Sequence, residues 1–211
     1  MIEVRSSYMV YARNIRSTVA MWKEGREKIW PELAFSGRIQ QMLHGHMQQS
    51  LFVWSSEWEN MADWELGMAR TLDSQNYKKW SAEMNKLRVY GEEREVFKIL
   101  APKLDLDNSP GKVEIRSSYL IQIGNLPTAL KLFSEGQGKV WPEMGWSGQN
   151  QQMLHGKSSQ SMLVWTSIWD SIDTWEKAMS KTVGNAIFQD WYVKWLDIVD
   201  FGGPREILKN I

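Results

Sequence analysis

Two histidines stand in identical surroundings. Gln40-Gln41-Met42-Leu43-His44-Gly45 recurs as Gln151-Gln152-Met153-Leu154-His155-Gly156. Each histidine closes a β-prone run and precedes a glycine, which places it at a strand end. An imidazole titrates near neutral pH and binds metals, so His44 and His155 are candidate general acid/bases, or ligands to haem iron. The competing reading is a hydrogen-bonded histidine that caps a strand. His46 lies two residues after His44, but Lys157 takes its place in the second block, so a histidine metal site lacks a repeated partner. No metal site is expected, and no cofactor apart from the haem alternative.

The second group of candidates would bind a ligand. Arg5 and Tyr8 recur as Arg116 and Tyr119 inside the pair Glu3-Val4-Arg5-Ser6-Ser7-Tyr8 and Glu114-Ile115-Arg116-Ser117-Ser118-Tyr119. On a strand Arg5 and Ser7 share one face and Ser6 and Tyr8 the other. Gln40, Met42 and His44 share a face opposite Gln41 and Leu43, and Gln151 and Gln152 repeat the pattern. A buried arginine or glutamine must find partners. These side chains either line a polar cavity that holds a carbonyl or carboxylate, or form a network linking two half-sheets. Trp54 and Trp165 fall on a strand with the parity to line a cavity. Trp64, Trp80, Trp175 and Trp191 read as helix core. Glu24-Gly25 and Glu135-Gly136 put a glycine inside a predicted helix, for close packing or as a bulge beside a pocket.

All these pairs share one offset, 111. Residues 3–100 align with 114–211 without a gap, and 35 of the 98 positions are identical. The chain is therefore a tandem duplication: a first domain over 1–100, a linker over 101–112 with Pro102, Pro110 and Gly111, and a second domain over 113–211. Each copy reads as strand (Glu3–Val10), helix to Trp30 with Asn14 or Asn125 at its N-cap, strand (Arg38–His44), strand (Ser50–Ser56), a helical stretch Asn60–Leu87 broken near Asp73-Ser74, and strand (Val89–Ile99). That order, β-α-β-β-α-β, is the ferredoxin-like arrangement of an α+β domain. Both helices cover one sheet face, so the other faces of the two copies are expected to pair within one chain as a pseudo-dimeric α+β barrel. Further homo-oligomerisation stays open.

Composition narrows the partners. The 211 residues carry 25 Lys plus Arg against 25 Asp plus Glu, which gives no electrostatic reason to expect nucleic acid or an anionic membrane. The chain has no cysteine and no apolar run of bilayer length. Met1–Arg5 reads as strand and not as a signal peptide, so a cytoplasmic protein is the default. Thirteen tryptophans suit a packed core or an aromatic-lined pocket. Phosphate-binding loops, nucleophile elbows, His-Glu-x-x-His and dinucleotide fingerprints are absent from the sequence.

Glu3, Arg5 and Tyr8 with their twins, and Trp54-Ser55-Ser56-Glu57-Trp58 followed by Met61-Ala62-Asp63-Trp64-Glu65, resemble the dimeric α+β-barrel superfamily, in particular its NIPSNAP-like and antibiotic-monooxygenase-like branches. The resemblance implies the fold. It also implies relatives that are cofactor-free monooxygenases, polyketide cyclases, haem enzymes or non-enzymatic proteins. The leading expectation is a small-molecule-binding protein or enzyme with oxygenase-like or cyclase-like chemistry on an aromatic or lipophilic substrate. The rivals are a non-catalytic binding or assembly protein and, third, a haem-binding protein.

Overall fold

The computed structural model describes residues 1–45, 50–100, 103, 105, 107, 109–156 and 161–211. The first copy runs β1 (Ile2–Val10), α1 (Ile15–Glu24), a π-helical turn (Gly25–Ile29), α2 (Trp30–Leu33), β2 (Arg38–His44), β3 (Leu51–Trp58), α3 (Met61–Asp73), α4 (Gln75–Leu87) and β4 (Arg88–Ile99). The second repeats it as β5 (Val113–Ile121), α5 (Leu126–Glu135), a π turn (Gly136–Val140), α6 (Trp141–Glu143), β6 (Gln149–His155), β7 (Met162–Trp169), α7 (Ile172–Ser180), α8 (Ala186–Leu196) and β8 (Val199–Asn210). The eight strands close into one barrel in the order β1-β3-β2-β8-β5-β7-β6-β4. Each copy contributes a four-stranded antiparallel sheet. The seams are β2 with β8 and β4 with β6, so each copy's last strand completes the other copy's sheet. The expected intramolecular barrel is thus formed. No helix among the described residues is long and apolar enough to cross a membrane.

Local chemistry sets the helix ends. Asn60, Ser74, Ser171 and Asn185 each accept a hydrogen bond from the backbone N–H three residues on, capping α3, α4, α7 and α8. Ser74 ends α3 and starts α4, the break expected at Asp73-Ser74. Asn14 and Asn125 do not cap. The chain enters α1 and α5 through 3₁₀ turns, these asparagines already have turn-like backbone (φ −96°, ψ −3° and φ −95°, ψ −5°), and Asn14 Nδ2 donates instead to the Leu87 carbonyl at 3.3 Å. The first helix also runs past Trp30. Pro31 falls in the first turn of a new segment, where its missing N–H costs nothing. The in-helix glycines open the π turns and permit close packing, though neither lines a cavity among the described residues. A Cβ on Gly25 would lie 3.1 Å from the Trp80 indole, and one on Gly136 would lie 2.8 Å from Trp141.

The sheet faces inside the barrel are charged. Arg38 donates to Glu114 at 2.7 Å and to Glu3 at 2.9 Å. Arg116 donates to Glu3 at 3.0 Å and to Glu114 at 3.4 Å. Arg5 reaches Glu206 at 2.9 Å and Glu95 at 3.3 Å. Gln40 donates to Glu114 at 2.6 Å and Gln151 to Glu3 at 2.9 Å. Met42, Val53 and Leu208 pack on one side of this network, and Phe97, Met153 and Val164 on the other. Most of these bonds cross from one copy to the other, so the network locks the half-sheets together. The outer sheet faces carry the apolar clusters against the helices.

Burial alone would raise the Glu3 carboxyl, but Arg38, Arg116 and Arg5 outweigh it and hold the group at about 2. Glu114 is lowered by Arg38 and Arg116 against the same burial. Both groups are ionised in the fold and must be protonated at low pH. Depressed folded values contribute stability above the unfolded value of 4.5 and lose it as pH falls towards 2. Urea unfolding should therefore show stability falling steeply across that window, with Glu3 alone accounting for on the order of 3 kcal/mol. A flat profile from pH 5 to 2.5 would contradict the network. Removing Arg38 takes one of two arginine partners from each of two buried carboxylates, so Arg38→Met should cost about 3–5 kcal/mol by urea unfolding at pH 7. A cost below about 1 kcal/mol would mean that the carboxylates reach water.

Candidate functional site

The second copy holds a cavity of about 570 Å³ between its outer sheet face and its helices. Strand alternation turns Ser117 and Tyr119 of β5 towards the helices while Glu114 and Arg116 enter the barrel. Trp165 on β7 extends the floor. Phe133, Trp141 and Trp146 form one wall; Trp175, Met179 and Thr182 form a second; Phe188, Gln189, Trp191, Tyr192 and Trp195 of α8 close the third. Arg205, Gly202 and Gly203 of β8 sit at the rim.

The walls are fixed in place. Trp191 stacks on Trp195 (5.6 Å, 9°), and Trp195 stacks on Phe133 (4.6 Å, 20°) and meets Tyr119 edge-on (5.1 Å, 88°). Such pairs add about 0.5–1.5 kcal/mol each beyond burial. The indole N–H of Trp191 donates to the Leu132 carbonyl at 2.8 Å, and that of Trp146 to Ala178 at 3.2 Å. The Nε1 atoms of Trp165 and Trp175 are buried without a partner among the described residues. Trp165 Nε1 presses on Gly148, where a Cβ would lie far too close.

The polar end is small. Arg205 Nε donates to Ser117 Oγ at 3.3 Å, and its guanidinium lies over the Trp175 ring at 5.1 Å. Burial pushes the Tyr119 phenol above its ordinary value, while its hydrogen bond with Ser117 and the charge of Arg205 pull it back. The net direction is upward, so Tyr119 remains a protonated donor at neutral pH. The described lining contains no aspartate, glutamate or histidine, so nothing there offers haem iron an imidazole. Among the described residues no cluster of three or more His, Asp or Glu could hold a metal ion.

Of the residues singled out from sequence, Tyr119 and Trp165 meet in this cavity. Their twins lie in the core of the first copy. Arg88 covers the Tyr8 ring at 4.1 Å, and Trp54 stacks on Trp30 at 5.7 Å. Arg5, Arg116, Gln40 and Gln151 belong to the barrel network. Gln41 and Gln152 are half-buried on the opposite strand face. His44 and His155 are exposed at the ends of β2 and β6, across from Ile207 and Val96, and neither lines the cavity. His46 and Lys157 lie outside the described residues. Sequence reasoning passed over Arg205, although the pair Arg205-Glu206 repeats Arg94-Glu95 at the offset of 111. It assigned Trp175 and Trp191 to core alone; Trp191 is core (7% exposed) and also cavity wall.

No protein-family model matches the chain, and no curated protein matches it. Solved structures do. A proposed monooxygenase of Fusobacterium nucleatum subsp. nucleatum superposes with TM-score 0.67 at 10% identity, over 99% of this chain and 91% of the other. A proposed monooxygenase of Lactobacillus acidophilus gives 0.65 at 7% identity, over 100% and 93%. An anthrone oxidase-like protein gives 0.64 at 10% identity, over 100% and 91%. At such identities the likeness is one of fold, and it extends over the whole chain: this is a tandemly duplicated dimeric α+β barrel.

Proposed function

We propose that the second copy binds a flat, electron-rich aromatic molecule bearing an acidic oxygen and presents it to dioxygen in oxygenase-like chemistry. The single observation that carries this reading is the stacked aromatic cavity with Arg205, Ser117 and Tyr119 gathered at one end. Planar walls fit a planar ligand. A guanidinium stabilises an enolate or phenolate oxygen, and a protonated phenol donates to it. The names of the structural neighbours, monooxygenases and an anthrone oxidase-like protein, support the same class of chemistry.

The described lining has no carboxylate or imidazole to act as base. The reaction therefore suits a substrate acidic enough to lose its own proton, whose anion then supplies the electrons. For an anthrone, the ring CH₂ and O₂ would become C=O and H₂O, and the proton lost first would end in the water. The same lack of a base favours one alternative, a binding protein that holds the anion without turning it over.

Tryptophan fluorescence quenching with 1,8-dihydroxyanthrone under nitrogen should report binding. Arg205→Met removes the cation at the polar end and should weaken binding about tenfold, the worth of one charge-assisted hydrogen bond. Its twin Arg94→Met should leave binding unchanged. Equal effects of the two variants would refute the second-copy site. Admitting air and following quinone absorbance then separates oxygenase from binder: protein-dependent quinone formation that Arg205→Met slows supports catalysis.

A further inference from the structure

One segment of the repeat adopts two different windings in the two copies. In the first, α3 is helical through Asp73, and the Ser74 N–H bonds the Arg70 carbonyl four residues back at 3.2 Å. In the second, α7 stops at Ser180. Its next residues form tight turns, with Lys181 bonded to Ala178 (3.2 Å), Thr182 to Met179 (3.1 Å) and Val183 to Ser180 (3.3 Å), each three residues back. The alignment here has no gap, so length is not the cause.

Composition is. Gly184 stands where the first copy has Asp73, and its φ is +78°, a conformation that L side chains rarely adopt. Glycine also disfavours continued helix. The unwound form is thus one that glycine makes accessible, and it sits where it matters: Thr182 lines the cavity. Two side-chain bonds hold the corner, Gln189 Nε2 to the Thr182 carbonyl at 3.0 Å and Lys181 Nζ to the Met144 carbonyl at 3.3 Å. Val183 at its tip is 83% exposed and packs on little. Rewinding four residues from the tighter 3₁₀ rise to the α rise would shorten the segment by about 2 Å, a change beside Thr182 and the exposed Gln189 of the cavity lining.

We propose that residues 181–185 gate the second-copy cavity by winding and unwinding the last turn of α7, with Gly184 as the hinge and Gln189 as the latch. This rests on the reading of that cavity as the ligand site.

The test uses the full chain and the aromatic anion 1-anilinonaphthalene-8-sulfonate as probe. Stopped-flow fluorescence gives its association and dissociation rates. Gly184→Ala disfavours the left-handed backbone and favours helix, so both rates should fall roughly fivefold or more. Gly184→Asn is the control: asparagine tolerates this backbone, and its rates should stay near wild type. Independently, amide hydrogen exchange should be at least about tenfold faster over 181–184 than over 70–73, because the turns open more readily than helix. If Arg205→Met weakens the probe but Gly184→Ala leaves its rates unchanged, the gate is wrong and the site stands. Equal exchange in the two segments also overturns the gate. If Arg205→Met has no effect on the probe, the site reading fails and the gate fails with it.

Discussion

The rest of the molecule depends on the charged interior of the barrel. Three arginines and the carboxylates of Glu3 and Glu114 are taken out of water together, which is tolerable only if every charge meets an opposite charge in good geometry. That requirement fixes more than stability. Arg38 and Glu3 belong to the first copy and Glu114 and Arg116 to the second, so the partners find each other only when the half-sheets close in one register. A shift of one residue along a seam would turn arginines outward and apolar side chains inward. The network thus specifies the barrel, and the barrel fixes which strand faces remain to meet the helices.

What remains is the outer face, where the aromatic residues gather. Because Arg116 and Glu114 must point inward, Ser117 and Tyr119 must point outward under α5 and α8. The cavity floor is therefore a consequence of the interior charges. Its walls come from elements far apart in sequence. Phe133, Trp165 and Trp191 converge only because the π turn at Gly136 sets where α5 ends and the cap at Asn185 sets where α8 begins.

Much of this was legible in the residues. The repeat, the strand spans and the break at Asp73-Ser74 followed from offset, periodicity and caps. The glycines inside α1 and α5 announced an irregular helix. Both readings of the polar strand residues, cavity or network, were open from sequence, because Gln40 and Arg5 look the same on a strand whether they face a ligand or a glutamate across a barrel. Only the partner strand decides, and that partner is on the other copy. His44 and His155 drew attention through their identical setting, yet exposure at a strand end needs no chemistry to explain it. Arg205 was hidden for the opposite reason: its role depends on Ser117 and Trp175, which periodicity cannot bring next to it.

Duplication on one chain also allows what two identical subunits could not do. Arg38 bonds both Glu3 and its twin Glu114, so it lies close to the axis relating the two copies. Arginine at both equivalent positions would ask two side chains to fill one place. The second copy has Gln149 there, and that side chain turns away to the Leu100 carbonyl at 2.7 Å. The remaining arginines follow the broken symmetry. Arg116 spans Glu3 and Glu114, whereas its twin Arg5 spans Glu95 and Glu206. In a homodimer a substitution appears in both subunits, so one on-axis arginine is inaccessible. Fusion removes that restriction in the barrel, and equally on the outer faces, where Gly184 stands beside one cavity while the other copy carries Asp73 at the end of a helix.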